Sequence, residues 1–125
     1  SMGHLELALK GNLLAGATNE GVLKIWQLDD GKLLKSFSFE DNPINKMDFH
    51  PKKSEMLLGL ADGKIMLLNY ENKKRSKSVQ AHAEWVNDLG FSANGKSFFT
   101  CGEEGLFLWK KRRLSKKKEL LKKYP

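Results

Sequence analysis

The residues best suited to catalysis or metal binding are few in this sequence and widely separated. His4, His50 and His82 lie far apart in the chain, and no HExxH, CxxC or phosphate-binding glycine loop is present. Cys101 follows the apolar stretch FFT, where a small buried side chain is a simpler interpretation than a nucleophile, because no motif places a base beside it. We therefore expect no enzymatic activity, no bound metal and no cofactor.

The adjacent carboxylates of Glu103 and Glu104 could suggest acid–base chemistry. They fall in a short turn, where neighbouring side chains point in different directions. A structural role is therefore the favoured interpretation of this pair, and any function of the chain should come from binding.

The positive charge of the chain is concentrated near its C-terminal end. Of the net charge of +7, residues 110–123 account for +8, and the rest of the 125-residue sequence is almost neutral. A single cysteine excludes an internal disulfide and fits a reducing compartment, so we expect an intracellular protein, cytoplasmic or nuclear. No apolar run reaches the 18 residues of a membrane span, and we expect no membrane partner.

An internal repeat organises the sequence. Gly21, Gly63 and Gly105 are separated by 42 residues each and stand in NEGVLKIW, ADGKIMLL and EEGLFLW. A fixed period of this length is typical of repeat architectures. Glycine supplies the positive φ angle that tight turns between strands require.

Each unit reads as four short strands, which we label a to d. The apolar residues alternate or form short runs and lack the helical period. Leu7, Phe49 and Phe91 also keep the 42-residue step, and we expect them at equivalent places on strand a. The pattern predicts an all-β fold.

Four strands, a period of 42 residues, a glycine-bearing turn and a following tryptophan resemble the WD40 repeat. The likeness is clearest in LLAGATNEGVLKIWQL and VNDLGFSANGK, and it extends over nearly the whole chain. It implies a fragment of a WD40-like β-propeller with three four-stranded antiparallel blades. We expect Ser1-Met2 to be a tag remnant, and the blades to span residues 3–41, 42–83 and 84–125.

The resemblance also implies a buried hydrogen-bond network within a blade. In the third unit its members would be His82, Thr100, Glu104 and Trp109. In the first unit Trp26 would take the corresponding place, with Thr18 and Glu20, and no histidine matches there.

The basic segment near the end of the chain has several interpretations. ELLKKY, at 119–124, matches KLLKSF of the first unit in polarity, so we predict strand d of blade 3 there, after a basic c–d turn at 110–118; helix or disorder are the alternatives. The basic residues of that turn are Lys110, Lys111, Arg112, Arg113, Lys116, Lys117 and Lys118. They would form a solvated turn, contact RNA phosphates or an acidic partner, or act as a nuclear import signal.

Candidate partner-binding residues follow from where WD40 proteins usually engage their partners, at the rim before strand a and in the b–c turns. They are Trp85, Asn87, Glu103, Asn45 and Asn19. A large aromatic side chain such as Trp85 is a natural anchor, although packing of Trp85 against a neighbouring blade and an ordinary loop role for the others stay open.

Three blades do not close a ring, because propellers usually have four to eight. We expect further blades to be supplied by the same polypeptide, by self-association or by another chain. The predicted function is a non-enzymatic platform for binding other proteins or peptides. The alternative is a propeller associated with RNA or ribosome assembly, whose basic turns contact phosphate.

Overall fold

The structure is a computed structural model that describes residues 5–40 and 42–122. Blade 1 consists of β1 (Leu5–Lys10), β2 (Leu13–Thr18), β3 (Val22–Gln27) and β4 (Leu33–Ser38). Blade 2 consists of β5 (Ile44–Phe49), β6 (Glu55–Leu60), β7 (Lys64–Asn69) and β8 (Lys77–Gln80). Blade 3 consists of β9 (Asp88–Phe91), β10 (Ser97–Gly102), β11 (Gly105–Lys110) and β12 (Ser115–Lys122).

Every blade is an antiparallel sheet whose strands pair in chain order. The prediction of an all-β chain with three four-stranded blades is therefore confirmed. In the described residues the only helical segments are two 3-10 turns, Lys73–Arg75 and Arg112–Leu114. The proposed tag remnant at residues 1–2 lies outside the part of the chain that the structure describes.

The blades are arranged around a common axis, with the first strand of each innermost. Strand β1 contacts β5, and β5 contacts β9. One apolar core fills the space between blades 1 and 2, where Ala15, Leu23 and Ile25 face Phe49 and Met56.

A second apolar core lies between blades 2 and 3. Leu57 and Ile65 of blade 2 pack there with Val86, Phe98 and Trp109 of blade 3. Burying these side chains removes apolar surface from water, at about 25 cal/mol per Å². Contact between successive blades is therefore the main source of stability, and it orients the rim of each blade against the next.

Two blade faces have no blade against them in the described structure. On blade 1, Leu5, Leu7 and Leu9 all point to one side of β1 and are 60–63% exposed. On blade 3, Phe99 and Leu108 lie on the face turned away from blade 2 and are partly exposed. Both faces are apolar, as expected of surfaces that another sheet would cover.

The register on strand a corrects one sequence expectation. Phe49 pairs with Met56 and Phe91 pairs with Phe98, but Leu14, the residue equivalent to Met56 and Phe98, pairs with Leu9. Leu9 therefore takes the place predicted for Leu7. The reason is that the turn between β1 and β2 is two residues shorter than the a–b turns of blades 2 and 3.

The basic c–d turn of blade 3 is shorter than the predicted 110–118, and the strand after it is longer than the predicted 119–124. Strand β11 ends at Lys110, and β12 starts at Ser115 and pairs with it directly. The chain reverses tightly because Leu114 is buried in the second core. Residues 123 and 124 of the predicted strand lie outside the described residues.

Among the residues that the structure describes, none forms a helix with the length and apolar character of a membrane span.

Gly63 shows how closely the b–c turn of blade 2 packs on the segment that leads into blade 3. Its φ is +89°, and a Cβ atom there would overlap the carbonyl oxygens of His82 and Glu84. Gly11 also has a positive φ, of +56°, but open space surrounds it. The two glycines thus separate the cost of backbone strain from the cost of steric overlap.

We expect Gly63→Ala to lower the free energy of unfolding by at least about 3 kcal/mol, because strain and displacement of the neighbouring segment add together. Gly11→Ala should cost about 1 kcal/mol, from strain alone. Urea denaturation followed by tryptophan fluorescence measures both. Equal losses in the two variants would show that the turn of blade 2 does not pack tightly on the segment that leads into blade 3.

Candidate functional site

Antiparallel strands place the loops of each blade at two opposite edges. The segments that enter strand a and the b–c turns lie at one edge, which we call the rim. The a–b and c–d turns lie at the other edge, which we call the base. At the rim, the b–c turns of blades 1 and 2 contact the segment that enters the next blade: Gly21 lies against Asn42, and Gly63 lies against His82.

A chain of side-chain hydrogen bonds holds the rim of blade 3. Trp109 donates from Nε1 to the hydroxyl of Thr100 at 2.8 Å, and that hydroxyl lies 2.8 Å from Nε2 of His82. Nδ1 of His82 meets a carboxylate oxygen of Glu104, and the other oxygen of Glu104 accepts from the backbone N–H of Ala83 at 2.9 Å. The network links strands β10 and β11 to the segment that enters blade 3.

The ionisation of Glu104 determines the direction of these hydrogen bonds. Partial burial works to raise the pKa of Glu104, but the N–H of Ala83 and the ring of His82 more than offset this and hold the pKa below its usual value. An ionised carboxylate accepts only. We therefore assign the proton of His82 to Nδ1, so that Nε2 accepts from the hydroxyl of Thr100. With this assignment, every polar side-chain atom of the hydrogen-bond network has a partner.

Aromatic packing fixes the same network. The ring of Phe107 stacks on His82 with centroids 5.0 Å apart, and Phe98 stacks on Trp109 at 5.8 Å. Because these rings and Thr100 are buried, the hydrogen bonds are shielded from water and the segment above them has little freedom to move.

The corresponding prediction for blade 1 is wrong in register. The hydroxyl of Thr18 accepts from the backbone N–H groups of Glu20 and Val22 within its own turn. Gly16, two residues earlier, packs against the ring of Trp26. Thr100 stands five residues before its turn glycine and Thr18 only three, so Gly16 occupies the place of Thr100 and leaves no hydroxyl for Trp26.

The structure brings three of the candidate partner-binding residues together at the rim of blade 3. Trp85 is 55% exposed, and Asn87 is exposed and donates its backbone N–H to the carbonyl of Cys101 at 2.7 Å. Glu103 is exposed in the adjacent b–c turn. Asn45 lies on β5 of blade 2, and Asn19 lies in the b–c turn of blade 1.

Most of the predicted basic residues lie at the base, where two open grooves run between blades 2 and 3. Five of the seven line the first groove: Lys110, Lys111, Arg112, Arg113 and Lys117. Lys116 instead lies over the ring of Phe107 at 4.3 Å, and Lys118 pairs with Leu108.

Residues from the a–b turns complete these grooves, and sequence reasoning missed them. Lys52 and Lys53 follow strand a of blade 2, and Lys96 precedes strand b of blade 3. The signal was present, because the a–b and c–d turns of an antiparallel blade share one edge. His50, also missed, is buried beneath the same groove.

Within the two described ranges, 5–40 and 42–122, no three histidine, cysteine or carboxylate side chains lie close enough together to hold a metal ion.

Thr100 is the centre of the network, and its hydroxyl can be removed almost without changing the shape of the side chain. Thr100→Val leaves the N–H of Trp109 and Nε2 of His82 buried without partners, and we expect a loss of about 2–3 kcal/mol in unfolding free energy. Thr18→Val is the matched control, and we expect it to cost less than about 1 kcal/mol, because the turn around Thr18 is accessible to water. Urea denaturation compares the two, and similar losses would contradict the proposed role of the network.

Comparison with known proteins agrees with this geometry. The family model described as "WD domain, G-beta repeat" matches residues 73–110. The chain is 31% identical over 100 residues to Lissencephaly-1 homolog 1 of Paramecium tetraurelia, a match that covers 78% of this chain and 24% of that protein. It is 32% identical over 96 residues to GATOR2 complex protein WDR24 of Danio rerio, which covers 74% of this chain and 12% of the relative.

A third relative is DDB1- and CUL4-associated factor 13 of Xenopus tropicalis, 36% identical over 62 residues, with 49% of this chain and 14% of that protein covered. The chain thus spans a quarter or less of the length of these relatives. The matched repeat, the three blades and the relatives together show that the chain belongs to the WD40-repeat family.

Proposed function

We propose that the chain is a non-enzymatic platform that binds segments of other proteins at the rim of blade 3, with Trp85 as the anchor. The observation that carries the proposal is the exposure of this large aromatic side chain, 55%, on a segment held in place by the network below it. An exposed tryptophan costs free energy in water, and burying it against a partner recovers that energy.

Rigidity of the rim supports the proposal. The N–H groups of Ala81 and His82 both donate to the carbonyl of Gly63 at 3.0 Å, and the N–H of Val86 donates to Leu60 at 3.2 Å. Trp85 thus stands in a segment bonded to blade 2 before it and after it. A segment already ordered in the free protein loses little entropy on binding, so more of the contact energy appears as affinity.

The chemistry around Trp85 fits a peptide ligand. Asn87 and Glu103 provide short polar groups beside the aromatic ring, suited to hydrogen bonds with a peptide backbone. The printed names of two relatives, a GATOR2 complex protein and a DDB1- and CUL4-associated factor, describe members of protein assemblies. We infer a comparable scaffold role for this chain.

The test uses peptides selected from a random 12-residue phage-display library on the immobilised chain. We expect Trp85→Ala to weaken binding of the selected peptides by roughly thirtyfold, the loss typical of an interface hot spot. Leu28→Ala is the control, because Leu28 is 49% exposed but lies at the base, and it should leave affinity unchanged. Selected peptides that bind the Trp85 variant as tightly as the parent would refute the proposal.

We propose further that additional four-stranded blades cover the open faces of blades 1 and 3. Leu9 is equivalent in register to Phe49 and Phe91, and Phe49 is buried because blade 1 lies over it. A blade packed on β1 would bury Leu9 in the same way. The same polypeptide, a second copy or a different chain could supply that blade, and a second copy would close a six-bladed ring head to tail.

When no other source of blades is present, we expect the 125-residue chain to self-associate. Leu7→Glu places a charge on the open face of blade 1 and should shift the association constant down at least tenfold in sedimentation equilibrium. Leu28→Glu introduces the same charge at an exposed leucine outside that face and should leave association intact. A compact monomer of the parent chain at high micromolar concentration would contradict the prediction.

A further inference from the structure

The base between blades 2 and 3 carries a surface that the rim proposal does not use. Two open grooves of about 1100 and 780 Å³ lie side by side there. They share Lys53, Lys111, Arg112 and Arg113, so they form one continuous depression, which we call the basic groove. It is built by the a–b turns of both blades, by their c–d turns and by the start of β12.

Among the described residues, lysine and arginine make up more than half of the lining of the basic groove. Eight of the twelve residues around the first part are lysine or arginine, and none is acidic. Seven of the twelve around the second part are lysine or arginine, and Glu55 is the single acid. Five of the lining cations come from the basic segment near the end of the chain, and folding brings the cations of separate turns in blades 2 and 3 to the same edge.

Most of the lysine and arginine side chains of the basic groove form no ion pair within the described part of the chain. Glu55 is bound to Lys111 at 2.6 Å, and both side chains are largely buried, at 16% exposed. That pair holds the c–d turn of blade 3 against blade 2. Across residues 5–40 and 42–122, no ion pair is found for Lys52, Arg112 or Lys117. Like charges gathered in a concave site repel one another, and a bound anion relieves that repulsion.

The turn that carries Arg112 and Arg113 has an uncommon backbone conformation at two residues. Arg113 and Leu114 have φ angles of +65° and +44°, in the left-handed region where residues with a side chain are rare. Such residues are strained relative to ordinary backbone and persist only where the surrounding structure holds them. Burial of Leu114 holds the turn in place and leaves Arg112 and Arg113 exposed at the junction of the two grooves.

His50 fixes the floor of the first groove. Its Nε2 donates to the carbonyl of Gly95 at 3.1 Å, and its Nδ1 accepts from the N–H groups of Lys52 and Lys53 at 3.0 Å. Burial, and next the charge of Lys111, lower the pKa of His50, so the ring stays neutral and keeps this arrangement at pH 7. The a–b turns of both blades are thus locked together before any ligand arrives.

We propose that the basic groove binds the sugar–phosphate backbone of RNA without reading base sequence. Phosphates recur at regular intervals along a strand and match a row of lysine and arginine side chains, and arginine can hold a phosphate through two parallel hydrogen bonds. Among the described residues of the lining, Leu67 is the only apolar side chain. These residues therefore offer no pocket for an apolar peptide side chain and no exposed aromatic ring on which a base would stack.

The test measures binding of a fluorescein-labelled 20-nucleotide oligouridylate to the 125-residue chain by anisotropy at several salt concentrations. Contact with about four phosphates gives a slope of log K against log[salt] near −3. The variant Arg112→Glu with Lys117→Glu removes two contacts, and we expect affinity at 0.1 M salt to fall about 10- to 100-fold and the slope to lose about 1.4. Neither side chain makes a hydrogen bond recorded within the described residues, so the fold should be retained.

The matched control is Lys32→Glu with Lys64→Glu, which makes the same change in net charge outside the groove. It should lower affinity less than about threefold and leave the slope unchanged. Equal losses in the two double variants would overturn the proposal, because they would show attraction by overall charge alone. In a competition experiment, poly-glutamate and unlabelled RNA are compared at equal charge. If poly-glutamate displaces the labelled RNA equally well, the RNA proposal is overturned, and an acidic protein segment is identified as the occupant.

Discussion

Packing of one sheet against the next is the constraint on which this structure depends. Each blade alone is a thin sheet with two apolar faces, and it becomes stable only when another sheet lies on them. Blade 2 is covered on both sides, and all residues of β6 from Met56 to Leu60 are buried. That explains why this strand reads as a continuous apolar run in the sequence, whereas a strand with one face in water alternates.

The overall architecture could be predicted because it rests on local chemistry that repeats. The turn glycines are needed for a positive φ, and those of blades 1 and 2 also for close contact with the next blade, so their spacing marks the repeat. The apolar patterns between them distinguish strands from helices. Turn lengths are less constrained, since a loop in water tolerates additions and losses at little cost. The error of register at Leu7 follows from assuming that every unit keeps the same a–b turn. The error at Thr18 came from matching the residue type and not its distance from the turn glycine, and the error of length at the basic turn came from matching ELLKKY to KLLKSF in polarity.

The two candidate surfaces differed in how far the sequence could reveal them. The hydrogen-bond network joins His82, in the segment that enters blade 3, to Thr100, Glu104 and Trp109 of that blade. The family resemblance was enough to identify these four residues. The basic groove combines turns from different repeats, and its lysines at 52, 53 and 96 carry no signal when each turn is read alone. Antiparallel topology places these turns at one edge, and that relation becomes clear only when the blades are side by side. The tight reversal at Arg113 and Leu114 depends on tertiary burial and could not be predicted from the polar segment around it.

The opposite placement of rim and base has a mechanical consequence. The strands that separate the two edges are mostly six residues long, a span of roughly 20 Å at about 3.3 Å per residue. Two ligands as large as a peptide and a nucleic-acid strand would not collide across that distance. If both proposed surfaces are used, one blade pair tethers the two molecules to each other, and each then experiences a raised effective concentration of the other. No change in shape is required, because the sheet between them acts as a rigid spacer.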